Sequence, residues 1–100
     1  MIVEERERFE REYGCTVREW LAWMPGATGG RALSPEGTQG LRVALEPGHL
    51  LMRWRELPPR VIALVRLPRL AISFAFEGAP LQARREFLRR FDLYLQRGGG

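Results

Sequence analysis

The stretch "LRVALEPGHLLMRWRE", residues 41–56, decides the fold, because two runs of strict alternation flank a Pro-Gly pair. Leu41, Val43 and Leu45 share one face of the first run. In the second, Leu50, Met52 and Trp54 share one face, and His49, Leu51, Arg53 and Arg55 the other. A period of two marks strands with one buried face, and the Pro-Gly pair makes their connection a tight antiparallel turn.

Toward the C-terminus, Pro58-Pro59 is expected to end the second strand. "RVIALVR" (60–66) is β-branched and apolar on both faces, so it reads as a third strand. "RLAISFAFE" (69–77) alternates most cleanly, with Leu70, Ile72, Phe74 and Phe76 inward. Pro80 then stands at the favoured first position of a helix over 80–97. On a 100° wheel, Ala83, Phe87, Leu88, Phe91, Tyr94 and Leu95 form its apolar stripe. Arg85, Glu86, Arg89, Arg90, Gln96 and Arg97 form its polar face; Leu93 lies on the polar side, and Arg84 falls inside the apolar stripe.

Toward the N-terminus, 25–40 is a Gly/Pro-rich loop with at most a short strand at 31–34. Residues 1–24 read as helical. "IVEERERFEREY" (2–13) pairs Glu4 with Arg8 and Glu7 with Arg11 at i,i+4, and Gly14 suits the end of that helix. Thr16 and Glu19 form a capping box ahead of a second short helix ending at Pro25-Gly26. The expected fold is a single-domain α+β two-layer sandwich: an N-terminal helix or kinked helix pair, an antiparallel meander of about four strands over 41–77, and a C-terminal amphipathic helix on one sheet face. Residues 98–100, all glycine, are expected to fray.

One hundred residues with 45% hydrophobic and 28% charged side chains suit one globular core. No signal-like apolar run opens the chain, and Arg66, Pro68 and Arg69 interrupt its most apolar region, so the reading is a soluble cytoplasmic protein with no membrane span. One cysteine, Cys15, excludes an internal disulfide. The net charge is +4, and every one of the sixteen basic residues is arginine. Because arginine lifts the pI without adding charge at neutral pH, the pI of about 10.5 overstates the basic character. Residues 1–40 carry five Arg against seven Glu; the excess of arginine lies beyond them.

The sequence offers little catalytic chemistry. "PGATGG" (25–30) lacks the strand before, the helix after and the Lys-Ser/Thr pair of a phosphate-binding loop. One His and one Cys cannot supply the usual metal ligand set, and Cys15 has only His49 as a candidate base. No enzyme, cofactor, metal or small-molecule ligand is therefore expected.

Two surfaces remain. The outer sheet face should present Leu51, Val61, Ala63, Val65, Ala71 and Ala75, small or branched apolar residues suited to close packing with a second copy or another protein, unless helix 1 or the Gly-rich loop covers them. Arg53 and Arg55 on that face, with Arg85, Arg89, Arg90 and Arg97 on the last helix, are candidate contacts for nucleic acid or another anion. The expected function is a small non-enzymatic interaction or dimerisation module, with nucleic-acid binding as the alternative.

Two resemblances bear on this reading. The helix–strands–helix order with "ARR" at 83–85 is similar to double-stranded RNA-binding domains, although the lysine cluster is missing and there is an extra strand. "VREWLAWMPGATGG", "RLPRLAISFAFEG" and "RRFDLYLQRGGG" resemble a family of short bacterial proteins that carries no functional assignment; this implies a bacterial cytosolic protein and nothing about its activity.

Overall fold

The computed structural model describes residues 6–97. The elements are β1 (Arg8–Tyr13), α1 (Val17–Ala27), β2 (Leu33–Pro35), β3 (Gly40–Ala44), β4 (His49–Ile62), β5 (Val65–Glu77) and α2 (Leu81–Gln96). The fold is α+β: two helices on one face of an open five-stranded antiparallel sheet, ordered β1-β5-β4-β3-β2.

The alternation seen in the sequence sets the sheet's register. Leu41 lies opposite Met52, Val43 opposite Leu50, Met52 opposite Phe74, and Leu50 opposite Phe76. All of these face the helices. They form one core with Trp20, Met24 and Ala27 of α1 and Phe87, Leu88 and Phe91 of α2. Aromatic rings link the layers: Phe9 stacks on Phe74 at 4.8 Å, Phe74 meets Phe91 edge-on at 5.8 Å, and Phe91 meets Trp20 at 5.9 Å. Such pairs add about 0.5–1.5 kcal/mol each beyond burial.

The N-terminal segment is a strand rather than a helix, which overturns the helix-first order and the likeness to double-stranded RNA-binding domains. Pairing with β5 places Phe9 opposite Phe74, Arg11 opposite Ile72 and Tyr13 opposite Leu70. Phe9, Arg11 and Tyr13 thus face the core side, and Arg8, Glu10 and Glu12 face outward. Arg11 is accommodated there because it donates to Asp92 Oδ1 of α2 at 2.6 Å and lies 5.1 Å from the Phe9 ring centre. The expected Glu4–Arg8 pair and the 98–100 tail lie outside the described residues. Arg8 pairs with Glu77 instead.

The capping box at Thr16 and Glu19 is present in full, and both of its hydrogen bonds form. The helix does not end at Pro25-Gly26, however. Pro25 costs one intrahelical bond, but Ala27 and Thr28 beyond it are buried, so the helix runs on into the core. It stops at Gly29 and Gly30, both at positive φ, where the Gly30 amide reaches back to the Pro25 carbonyl. The loop expected over 25–40 therefore starts later, and it contains β2.

The prolines at 58–59 do not end β4 either, so the meander has fewer and longer strands than the expected four. "RVIALVR" is not a strand in its own right. It contains a hairpin turn, Ala63–Leu64, between β4 and β5, with Ile62 opposite Val65. With β1 and β2 added at the edges, the sheet has five strands.

Arg84, the cation in the apolar stripe of α2, is buried and turns back on its own helix start. Its Nη1 donates to the Ala79 carbonyl at 2.7 Å.

Candidate functional site

Beyond Arg53, β4 has no further partner in β3, and beyond Leu70, β5 has none in β1. Residues 55–62 and 65–69 pair mainly with each other, as a two-stranded arm leaving the body of the sheet. At about 3.3 Å per residue, the 14 residues of β4 span roughly 46 Å, which matches the longest dimension of the molecule, 46 Å.

Among the described residues no third strand pairs with either outer edge of this ribbon, so Pro58, Pro59 and Pro68 remove no ladder bond. They also blunt those edges against strand addition. Leu57 pairs with Arg69 and Arg60 with Leu67, so Pro58 and Pro59 oppose Pro68 alone, a β-bulge. The extra residue shifts the phase of β4. Arg60 and Ile62 come to the outer face with Val65 and Leu67, while Val61 and Arg66 take the opposite face. Exposed apolar side chains lie at the arm's tip and on both its sides, beside Arg60 on one and Arg66 on the other: Leu64 at the turn is 100% exposed, Val61 59%, Ile62 56%, Val65 54% and Leu67 41%.

The six residues expected to form one apolar patch are therefore divided. Leu51, Ala71 and Ala75 lie on the outer sheet face. Val65 lies on the same side of the arm, Val61 on its opposite side, and Ala63 in the turn, at φ 54°. Ile62, Leu64 and Leu67 were not singled out from the sequence, because an apolar run split by an unmarked turn gives no clue to which residues end up at a tip.

Both helices pack on the inner face of the sheet, so neither covers the outer one. Its arginines are instead matched to glutamates. Arg8 pairs with Glu77 (3.3 Å), Arg55 with Glu10 (3.7 Å), Arg42 with Glu36 (3.2 Å), and Arg69 donates to both Glu12 oxygens, from Nη2 at 2.8 Å and Nε at 3.0 Å. Hydrogen bonding from Arg69 holds the Glu12 carboxyl below its ordinary range. Ala71 is buried among these side chains, and Leu51, Ser73 and Ala75 are half-buried. Each pair adds little stability at the surface. Together they leave Arg53, beside a shallow groove it shares with Arg8, Glu10 and Leu51, without an ion pair among the described residues.

The arginines of α2 lie on the other layer of the molecule, so the six candidate anion contacts do not form one surface. Arg89, Arg90 and Arg97 line a groove with Gly26, Glu86, Leu93 and Tyr94; Arg85 does not line it. The expected Glu86–Arg90 pair is not made. Glu86 accepts from Gln82 at 2.8 Å, and Arg90 lies over Gly29.

Cys15 sits beside Pro68 and Leu70, at the end of the sheet opposite His49, whose strand partner is Glu77. The thiol is buried, and desolvation, with Glu19 adding to it, pushes its pKa from 9.0 to about 11. A raised pKa means the folded state holds the proton more tightly. Stability from this group is present below about pH 9 and is lost as pH rises toward 11. Native protein at pH 8 is expected to resist a thiol reagent until denaturant is added, and its denaturation midpoint should fall between pH 9 and 11 in the native chain but not through this group in Cys15→Ala. Fast labelling of the folded chain would contradict this.

Among the described residues, no group of three His, Cys, Asp or Glu side chains is placed to hold a metal ion, and no helix is long and apolar enough to cross a membrane. No protein-family model and no curated protein matches the chain.

Proposed function

We propose that the protein is a non-enzymatic interaction module that self-associates through the β4–β5 arm. The observation that carries this reading is the exposed apolar residues of the arm's tip and outer face: Ile62, Leu64, Val65 and Leu67 together expose the equivalent of about two and a half whole aliphatic side chains. Covering them is worth about 4–8 kcal/mol per arm. The freedom lost on association costs about 4–15 kcal/mol, so one arm against a polar surface gains little, while two arms covering each other double the apolar area removed from water for a single such cost. Contiguous exposed apolar surface of this kind marks interaction sites.

Several features favour side-chain packing over strand addition. The prolines blunt the arm's edges. β1 is a charged edge strand, and β2 has three residues and ends in Pro35. Two arms packed face to face need no free backbone groups. The nucleic-acid alternative keeps only the α2 arginines, because those of the sheet lie on the opposite layer and most are paired.

The double substitution Ile62→Asp/Val65→Asp places two like charges directly opposite each other on the arm. It is expected to abolish association and leave cooperative unfolding of the core intact, since both residues are more than half exposed and neither belongs to the core. A native chain and variant with the same molar mass at every concentration would refute the reading.

A further inference from the structure

The Gly-rich segment at the end of α1 and the basic face of α2 meet in one place. A Cβ on Gly26 would stand 2.5 Å from the Tyr94 ring, and a Cβ on Gly29 would stand 2.9 Å from Arg90 Nε. Both glycines thus leave room for a side chain of α2. Tyr94 lies across the helix at Gly26, and Arg90 lies over Gly29, just past the C-terminal end of α1, where the helix dipole favours a cation. Between and beside them, Leu93 stays 50% exposed, flanked by Arg89 and Arg97.

This groove differs from the sheet face in its charge state. On the sheet, Arg8, Arg42, Arg55 and Arg69 each have a glutamate. Among the described residues, Arg89, Arg90 and Arg97 have no carboxylate partner, and the one acid lining the groove, Glu86, is held by Gln82. Three cations therefore surround an apolar floor formed by Leu93, Tyr94 and the backbone at Gly26.

We infer that this groove binds an acidic protein segment with an apolar anchor: an aliphatic side chain against Leu93, with flanking carboxylates on Arg89, Arg90 and Arg97. The floor decides the class of partner. Binding of single-stranded nucleic acid relies on aromatic rings open for base stacking, and the one ring here, Tyr94, is laid against Gly26. Arginine forks suit carboxylates in bidentate geometry, and an exposed leucine at the centre suits a peptide side chain better than a phosphate backbone. The site is independent of the arm, which lies on other elements.

The test is fluorescence anisotropy with a labelled amphipathic peptide of glutamate and leucine, alongside labelled oligothymidine. The peptide should bind, and binding should weaken as salt is raised. Affinity should fall about tenfold in Arg89→Gln/Arg97→Gln and comparably in Leu93→Ser, while Ile62→Asp/Val65→Asp binds as the native chain does. These side chains are solvent-facing, so the variants should keep the native unfolding transition. Failure of the peptide to bind, equal binding by the groove variants, or tighter binding of oligothymidine that ignores Leu93→Ser would each overturn the inference.

Discussion

Gly48→Ala is expected to lower the free energy of unfolding by about 3 kcal/mol or more. Gly48 lies in the β3–β4 turn at φ +89°, which already disfavours any side chain. A Cβ there would also meet main chain on the next layer of turns: the Glu77 carbonyl oxygen, the Gly78 carbonyl carbon at 2.6 Å and the Ala79 nitrogen at 2.8 Å. Backbone cannot rotate away as the end of a side chain can. The β3–β4 turn would have to move off the β5–α2 connection, and with it the start of α2. Gly30→Ala is the control. Gly30 is also at positive φ (+76°) but has open space around its Cβ position, so its cost should stay near the conformational penalty of about 1–2 kcal/mol. Denaturant unfolding of both variants separates strain from collision. Equal losses would show that the close approach at Gly48 is not what the turn depends on.

Phe91→Ala should cost about 3–5 kcal/mol, the range for deleting a fully buried aromatic side chain. Phe91 is 0% exposed and stands where three elements meet: it touches Trp20 of α1, Phe74 of β5 and Phe87 of its own helix, with ring centres 5.6–5.9 Å apart. Its neighbours are held by the sheet and by α1, so the cavity cannot easily close. Leu93→Ala, two residues on and half-exposed, should cost less than about 1 kcal/mol. The contrast between the two on one helix tests the assignment of its core and solvent faces directly. Comparable losses would mean that α2 is rotated from the orientation described.

The inward register of the central strands and the core stripe of α2 could be read from the sequence because period-two and period-3.6 patterns were unambiguous there. The first strand was not legible for a specific reason. Phe9 and Tyr13 are four apart, and residues four apart share a face in both a helix and a strand. Position 11 decides between the two, and it holds an arginine. Only the folded partner, Asp92, 81 residues away, explains a cation on the core side. The arginines whose i,i+4 spacing to glutamate suggested a helix serve the sheet instead, with Arg8 reaching Glu77 of β5 and Arg11 reaching Asp92 of α2.

The arm was hidden by two other features. Consecutive prolines normally end a strand, but this ribbon has no outer strand neighbours among the described residues, and the bulge takes up the extra residue. The hairpin turn is Ala63–Leu64, with none of the Gly, Asn or Asp that usually mark one. The two surfaces now of interest follow from such departures. One is an apolar tip produced by a bulge and an unmarked turn; the other is a basic groove made possible by glycines that looked at first like a poor phosphate loop.

The central claim, self-association through the arm, is tested most directly by the molar mass of the native chain in solution. Light scattering across a chromatographic peak, over a range of loading concentrations, should give twice the 11.5 kDa chain mass at the higher concentrations and 11.5 kDa for Ile62→Asp/Val65→Asp throughout. A native chain that remains at 11.5 kDa up to its solubility limit would contradict the account.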